Sequence, residues 1–139
     1  MRRKLIEQTV ARTTGLGQRF SAASTTAHVS AGVDREGFLS AVIVGTAFSL
    51  SVADTSPFIF TVKDSSDNST FAVYHTALSS LTMTAGTTST DATVGSFDVD
   101  LAGAKRYLQV SVTVTGATTV TAVITTAVIL GDAINEPAV

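Results

Sequence analysis

The chain has 139 residues and a mass of 14.3 kDa, the size of one domain with a single core. It contains no cysteine and no tryptophan, which excludes zinc fingers, iron–sulfur centres, thiol catalysis and disulfide scaffolds. Charged residues make up only 14%, and 23 threonines and 15 serines take their place beside 17 valines, a composition that favours strands over helices.

The net charge of -2 is unevenly spread. Arg2, Arg3, Lys4, Arg12 and Arg19 oppose only Glu7 at the start, whereas 4 basic residues face 10 acidic ones from residue 20 onward. A basic leader ahead of an acidic body is suited to an acidic surface elsewhere or on a neighbouring subunit. The leader lacks the apolar block of a secretory signal. The apolar stretches Phe38–Val52 and Val120–Leu130 are broken by Ser, Thr and Gly and are too short for a spanning helix, so no membrane is expected.

Residues 1–32 read as an extended N-terminal arm, with at most a short helix over Lys4–Arg12, and residues 33–139 as the folded domain. Over Phe38–Val52 the even positions Phe38, Val42, Val44, Phe48, Leu50 and Val52 share one side of a period-two pattern, with Gly45 marking a bend or bulge. Asp54–Pro57 is a turn, and Phe58, Phe60 and Val62 then define an inner strand face. Asp64–Ser69 reads as an exposed hairpin loop whose short polar side chains satisfy its own backbone, followed by a strand over Thr70–His75. Leu78–Thr84 suggests an edge strand. Phe97, Val99 and Leu101 alternate with Asp98 and Asp100, and Gly103 turns the chain into Tyr107–Thr115, where Leu108, Val110, Val112 and Val114 form a dry face. Thr115–Thr118 is a turn, and Thr119–Leu130 returns as a final strand ended by Gly131. Seven or eight strands without long helices predict an all-β protein: an antiparallel β-sandwich, jelly-roll-like, with the extended arm in front.

Catalytic and metal chemistry finds little footing. No nucleophile elbow, phosphate loop, dinucleotide glycine pattern or zinc-protease motif occurs. His28 reads as a solvent-facing or interface residue of the arm, and His75 as a histidine on a sheet rim. Asp98 and Asp100 share a strand face, which the flanking pattern makes the solvent side and so a solubilising pair rather than an acid/base pair. Asp64, Asp67 and Asn68 could gather calcium but lack the glycine and terminal glutamate of an EF-hand. No enzyme activity, cofactor or small-molecule substrate is therefore expected, and nucleic acid is not an expected partner, because only the arm is basic. Lys105 and Arg106 before Tyr107 form the only basic doublet of the body, a candidate subunit interface through carboxylate pairing.

Together, the polar arm, the Gly37–Phe38 strand start, the Phe60–Ser69 hairpin, Gly103–Val110 and the close Ala127–Gly131 before Pro137–Val139 resemble small virion proteins encoded beside the major capsid protein of tailed bacteriophages. These are capsid decoration proteins, also called cement or head-stabilising proteins. The likeness spans residues 35–139, with Lys105–Tyr107 and the Thr115–Gly116 turn its most specific pieces. It implies a structural protein on the outer capsid surface that bridges capsomers, with the major capsid protein as partner and a homo-oligomer, trimer or dimer, as its form. In that reading Arg2, Arg3, Lys4, Arg12 and Arg19 form a capsid-contact arm. A head-to-tail connector or tail component, and a carbohydrate or host-surface binding module, are the alternatives.

Overall fold

The computed structural model describes residues 10–13, 18–22, 27–49, 57–74, 80–84, 93–114 and 120–133. Eleven strands run through them: β1 (Val10–Thr13), β2 (Gln18–Ala22), β3 (His28–Val29), β4 (Val33–Asp34), β5 (Phe38–Ser49), β6 (Pro57–Ser65), β7 (Ala72–Val73), β8 (Ser80–Thr84), β9 (Thr93–Asp100), β10 (Tyr107–Val114) and β11 (Val120–Ala133). All pairings are antiparallel. The first sheet has the order β1–β11–β5–β9, with β2 on the same edge of β11 as β1; the second has the order β3–β10–β6–β7, with β4 beside β3 on β10 and β8 beside β7 on β6. The eleven strands thus fill eight sheet positions, because three of the four sheet edges are split in two.

One apolar cluster joins the sheets into a sandwich. Ile43, Val99, Ile124, Val128 and Leu130 come from the first sheet, and Phe58, Phe60, Val62, Leu108, Val110 and Val112 from the second. The inner faces read for the strands of Phe58–Val62, Phe97–Val99 and Leu108–Val112 hold. The dry face of β10 follows from strict alternation, although Ser111 on its other face is also covered, in register between Val29 and Thr61.

For β5 the face turned to the core is the odd one. Ala41, Ile43, Gly45 and Ala47 are buried, while Val42 and Val44 lie half-buried on the outer face. Both faces of this strand are apolar, so alternation alone does not say which goes inward; volume does. Gly45 stands opposite Gly95 on one side and Thr126 on the other, a row of small residues across three strands. A Cβ at Gly45 would come within 2.9 Å of the Phe60 ring of the opposite sheet. Gly45 makes no bulge: pairing runs through it without a gap on both sides. It is small so that Phe60 can fill the space between sheets.

The leading segment contributes edges to both sheets where it is described. Val10–Thr13 and Gln18–Ala22 pair with β11, so Val10–Arg12 is strand rather than the end of a helix, and residues 4–9 lie outside the described residues. Between β3 and β4, Ser30 keeps the ladder intact at the break. Its N–H donates to the Val110 carbonyl (2.8 Å) and its Oγ accepts from the Val110 N–H (2.9 Å). The Gln109 side chain donates to the Ser30 carbonyl at 3.0 Å.

Candidate functional site

The densest polar chemistry of the described residues lies at one end of the sandwich, where the β4–β5 turn meets the β9–β10 connection. Asp34 starts the turn: its Oδ1 accepts from the Glu36 N–H (3.0 Å), Gly37 takes a positive φ of 87°, and the Phe38 N–H returns to the Arg35 carbonyl (3.0 Å). Glycine at position 37 relieves the cost a side chain would carry at that angle.

Arg35 is the clamp of this end. Its Nε donates to the Lys105 carbonyl (3.0 Å), Nη1 to the Phe38 carbonyl (2.9 Å) and Nη2 to the Ala104 carbonyl. One rigid guanidinium fork therefore ties the start of β5 to the segment that leads into β10. That segment is further held by the Leu101 N–H on the Leu39 carbonyl (2.7 Å) and by Asp100 Oδ1, which accepts from the Ala102 N–H (2.9 Å). Across the sandwich, the Tyr74 hydroxyl donates to the Asp100 carbonyl at 2.9 Å.

Arg106 lies over this turn. Its Nε and Nη2 meet the Asp34 carboxylate at 2.8–3.2 Å, Nη2 reaches Glu36 Oε2 at 2.8 Å, and its guanidinium sits 5.3 Å from the centre of the Tyr107 ring. The Asp34 hydrogen bonds, with the charges of Asp34 and Glu36, raise the Arg106 pKa above its ordinary value. Lys105 pairs with Asp64 (3.8 Å) and gives its N–H to Asp64 Oδ2 (3.0 Å). The basic doublet read as a candidate subunit interface thus finds its carboxylates within its own chain. Arg35, Glu36, Gly37 and Arg106 line an open depression of about 240 Å³. The bonds described for its two guanidinium groups run to carbonyls and carboxylates of this chain, so the arrangement acts as a cross-link.

Two readings of the Asp64–Ser69 segment separate here. Asp64 is buried at the end of β6 rather than exposed in the loop, because it continues the inward phase of Phe58, Phe60 and Val62. Asp67 is exposed, and its Oδ1 accepts from the Ser65 hydroxyl (2.6 Å) and from the N–H groups of Ser69 and Thr70 (both 2.9 Å). These bonds, the Ser65 one foremost, hold its pKa far below the usual carboxylate range. The two carboxylates serve different backbone segments, and no grouping of three or more His, Cys, Asp or Glu that could hold a metal occurs among the described residues.

Asp98 and Asp100 are exposed on the outer face of the first sheet, as their alternation requires. His28 is half-buried in β3 opposite Val112, with contacts of its own, and His75 lies outside the described residues. Arg12 is opposite Val128 and Arg19 opposite Val123 in the edge strands; Arg2, Arg3 and Lys4 lie outside the described residues. Sequence reading passed over Asp34, Arg35 and Glu36. The signal was there: an Asp three residues before Gly37 in a charge-dense run marks a turn with polar side chains to spare.

No protein-family model and no curated protein matches the chain. Among solved structures, the PBSX exported protein XepA is similar with a TM-score of 0.55 at 17% identity, covering 94% of this chain. The chain spans 39% of XepA's length. The SPBc2 prophage-derived protein YomS is similar at a TM-score of 0.43 and 16% identity (88% of this chain, 93% of that one). The Tobacco streak virus coat protein is similar at 0.47 and 11% (98% and 94%). A structure described as CBM4 and one of CBM22-1-GH10 modules of a Clostridium thermocellum xylanase stand at the same level, with TM-scores of 0.43 and 0.44. The XepA likeness establishes a shared fold over nearly the whole chain, and at that identity it establishes the fold alone.

Proposed function

We propose that the protein is a non-enzymatic structural virion protein that decorates the outer surface of a tailed-bacteriophage capsid and bridges capsomers as a homo-oligomer, a trimer or a dimer. The observation that carries this reading is the outer face of the first sheet. Its described side chains include Val42, Val44, Val123, Ala127 and Ile129, all half-buried, together with Thr46, Thr125 and Ser96; over β5, β9 and residues 123–130 of β11 the charged ones among them are Asp98 and Asp100 at one margin. A pleated face that carries hydroxyl and valine groups in place of Lys and Glu loses little hydration when another protein covers it.

The sandwich is read as a jelly roll. In support, the eight sheet positions follow the order β1/β2–β11–β5–β9 and β3/β4–β10–β6–β7/β8, so that most successive positions change sheet. The leader, with Arg2, Arg3 and Lys4 ahead of the edge strands that carry Arg12 and Arg19, captures an acidic capsid surface, and attachment at several points raises retention beyond that of each contact.

Co-sedimentation with shells assembled from a tailed-bacteriophage major capsid protein tests the proposal. Binding to assembled shells well above binding to the lone capsid subunit is expected, and it weakens when Arg2, Arg3 and Lys4 become Ser. Equal binding to shell and subunit would remove the bridging role. Retention on a glycan surface without any capsid would favour the binding-module alternative.

A further inference from the structure

The tip between β6 and β7 carries Asp67, Asn68, Ser69 and Thr70, and Asn68 is exposed there. Asparagine is a thermolabile residue because its side chain can react with its own backbone. The deprotonated nitrogen of Ser69 would bond to the Asn68 side-chain carbon while the bond from that carbon to the side-chain nitrogen breaks, so that ammonia leaves and a five-membered succinimide remains. Water then opens the ring at either carbonyl, giving aspartate or isoaspartate. The net change is water taken up, ammonia released and one negative charge gained.

We propose that Asn68 is a deamidation site held dormant by the fold, so that opening of the β6–β7 tip converts it irreversibly. Three features of the closed tip oppose formation of the ring. The attacking group is engaged: the Ser69 N–H donates to Asp67 Oδ1 at 2.9 Å, an oxygen that also accepts from the Ser65 hydroxyl (2.6 Å) and the Thr70 N–H (2.9 Å). A negative charge beside that N–H makes its proton harder to remove, and a carboxylate held far below its usual pKa is too weak a base to take it. The backbone points the wrong way as well. Asn68 has a φ of 57°, in the left-handed region where ψ is about 47°, which turns the next nitrogen away from Cβ, whereas the ring needs the two on one side. Finally, the carbonyl to be attacked is held. Asn68 Oδ1 lies against Gly32, where any Cβ would collide with it and would also come within 3.2 Å of the Phe71 ring.

Gly32 belongs to the break between β3 and β4, so the tip is docked on a segment far from it along the chain. Conversion would undo that docking for good, because isoaspartate lengthens the main chain by one carbon and aspartate sets a second carboxylate beside Asp67. The inference is independent of the capsid reading and stands or falls without it.

The chain has two asparagines, Asn68 and Asn135, and tryptic cleavage after Lys63 and Lys105 leaves Asn68 as the one asparagine of its fragment. The test is incubation of the full chain in mildly alkaline buffer, folded or in urea, followed by the mass of that fragment, which rises by one unit on conversion, and by an isoaspartate assay. The folded chain is expected to convert at least about tenfold more slowly than the unfolded one, a difference in barrier of about 1.4 kcal/mol. Asp67→Ala, which frees the Ser69 N–H, and Gly32→Ala, which displaces the Asn68 side chain and leaves Asp67 in place, should each speed conversion several-fold while circular dichroism shows a folded sheet protein. A folded chain that converts as fast as the unfolded one overturns the proposal. So do two folded variants that both keep the original rate.

Discussion

The two ends of the sandwich are held by different forces. Every described charged residue after Val29 lies toward one end: Asp34, Arg35, Glu36, Lys63, Asp64, Asp67, Asp98, Asp100, Lys105, Arg106 and Asp132. There the chain is fixed by side chains bonded to backbone, with Arg35 on three carbonyls and Asp64, Asp67 and Asp100 on N–H groups. Further along, from Phe60 toward Ser49, Pro57 and Val114, no described residue after Val29 is charged, Arg19 standing there in the β2 edge strand opposite Val123, and the sheets are joined by apolar packing such as Phe60 over Gly45. Burial of apolar surface is cooperative and spread over many residues, whereas each polar tie holds one segment. The packed centre therefore carries the fold, and the charged end sets the conformation of its turns.

Truncation at the centre should cost most. Phe60→Ala removes a fully buried ring at a place where Gly45 has no side chain to move in, so a loss of roughly 3–5 kcal/mol is expected in urea unfolding. A loss below that of a polar tie at the charged end would break the contrast between the two regions. Asp64→Ala comes next, at roughly 1–3 kcal/mol, because it removes a buried carboxylate and leaves the Lys105 N–H of a part-buried bond without its acceptor. The ion pair with the exposed Lys105 ammonium adds little to that, so Lys105→Met should fall well short of Asp64→Ala in the same measurement.

The smallest effect sharpens the picture through pH. Asp67 has its pKa lowered in the folded state by hydrogen bonds from Ser65, Thr70 and Ser69, so the native state holds fewer protons there than the unfolded chain does in acid. Its contribution is complete above the ordinary carboxylate pKa of about 4 and is lost as pH falls below it. Asp67→Asn should accordingly lower the melting temperature slightly at neutral pH and flatten the acid side of the stability profile. An unchanged acid slope would show that the loop is indifferent to this carboxylate.

Much of the architecture was legible from residue order. Threonine and valine content predicted sheets, and the strands of Phe58–Val62, Phe97–Val99 and Leu108–Val112 showed their inner faces because one face is apolar and the other polar. Alternation reports a contrast between faces, and where the contrast vanishes it is silent. That is the case for β5, whose inward Ala41, Ile43, Gly45 and Ala47 were outweighed in the sequence by Val42 and Val44 on the outer side. At the candidate site, the Lys105–Arg106 doublet was visible but its partners were not, since Asp34 and Asp64 lie 72 and 41 residues away along the chain.

Residue order by itself determined the strand-forming segments, the turns with their glycines and aspartates, and the division between a basic leader and an acidic body, all of which depend on neighbours a few positions apart. Only the tertiary structure decided that Gly45 makes room for Phe60, that Arg35 clamps two connections, and that β9 alone among the edges is long and unbroken. Those outcomes depend on which distant strands meet and how much volume each leaves for the other, and neither quantity is carried by any short stretch of chain.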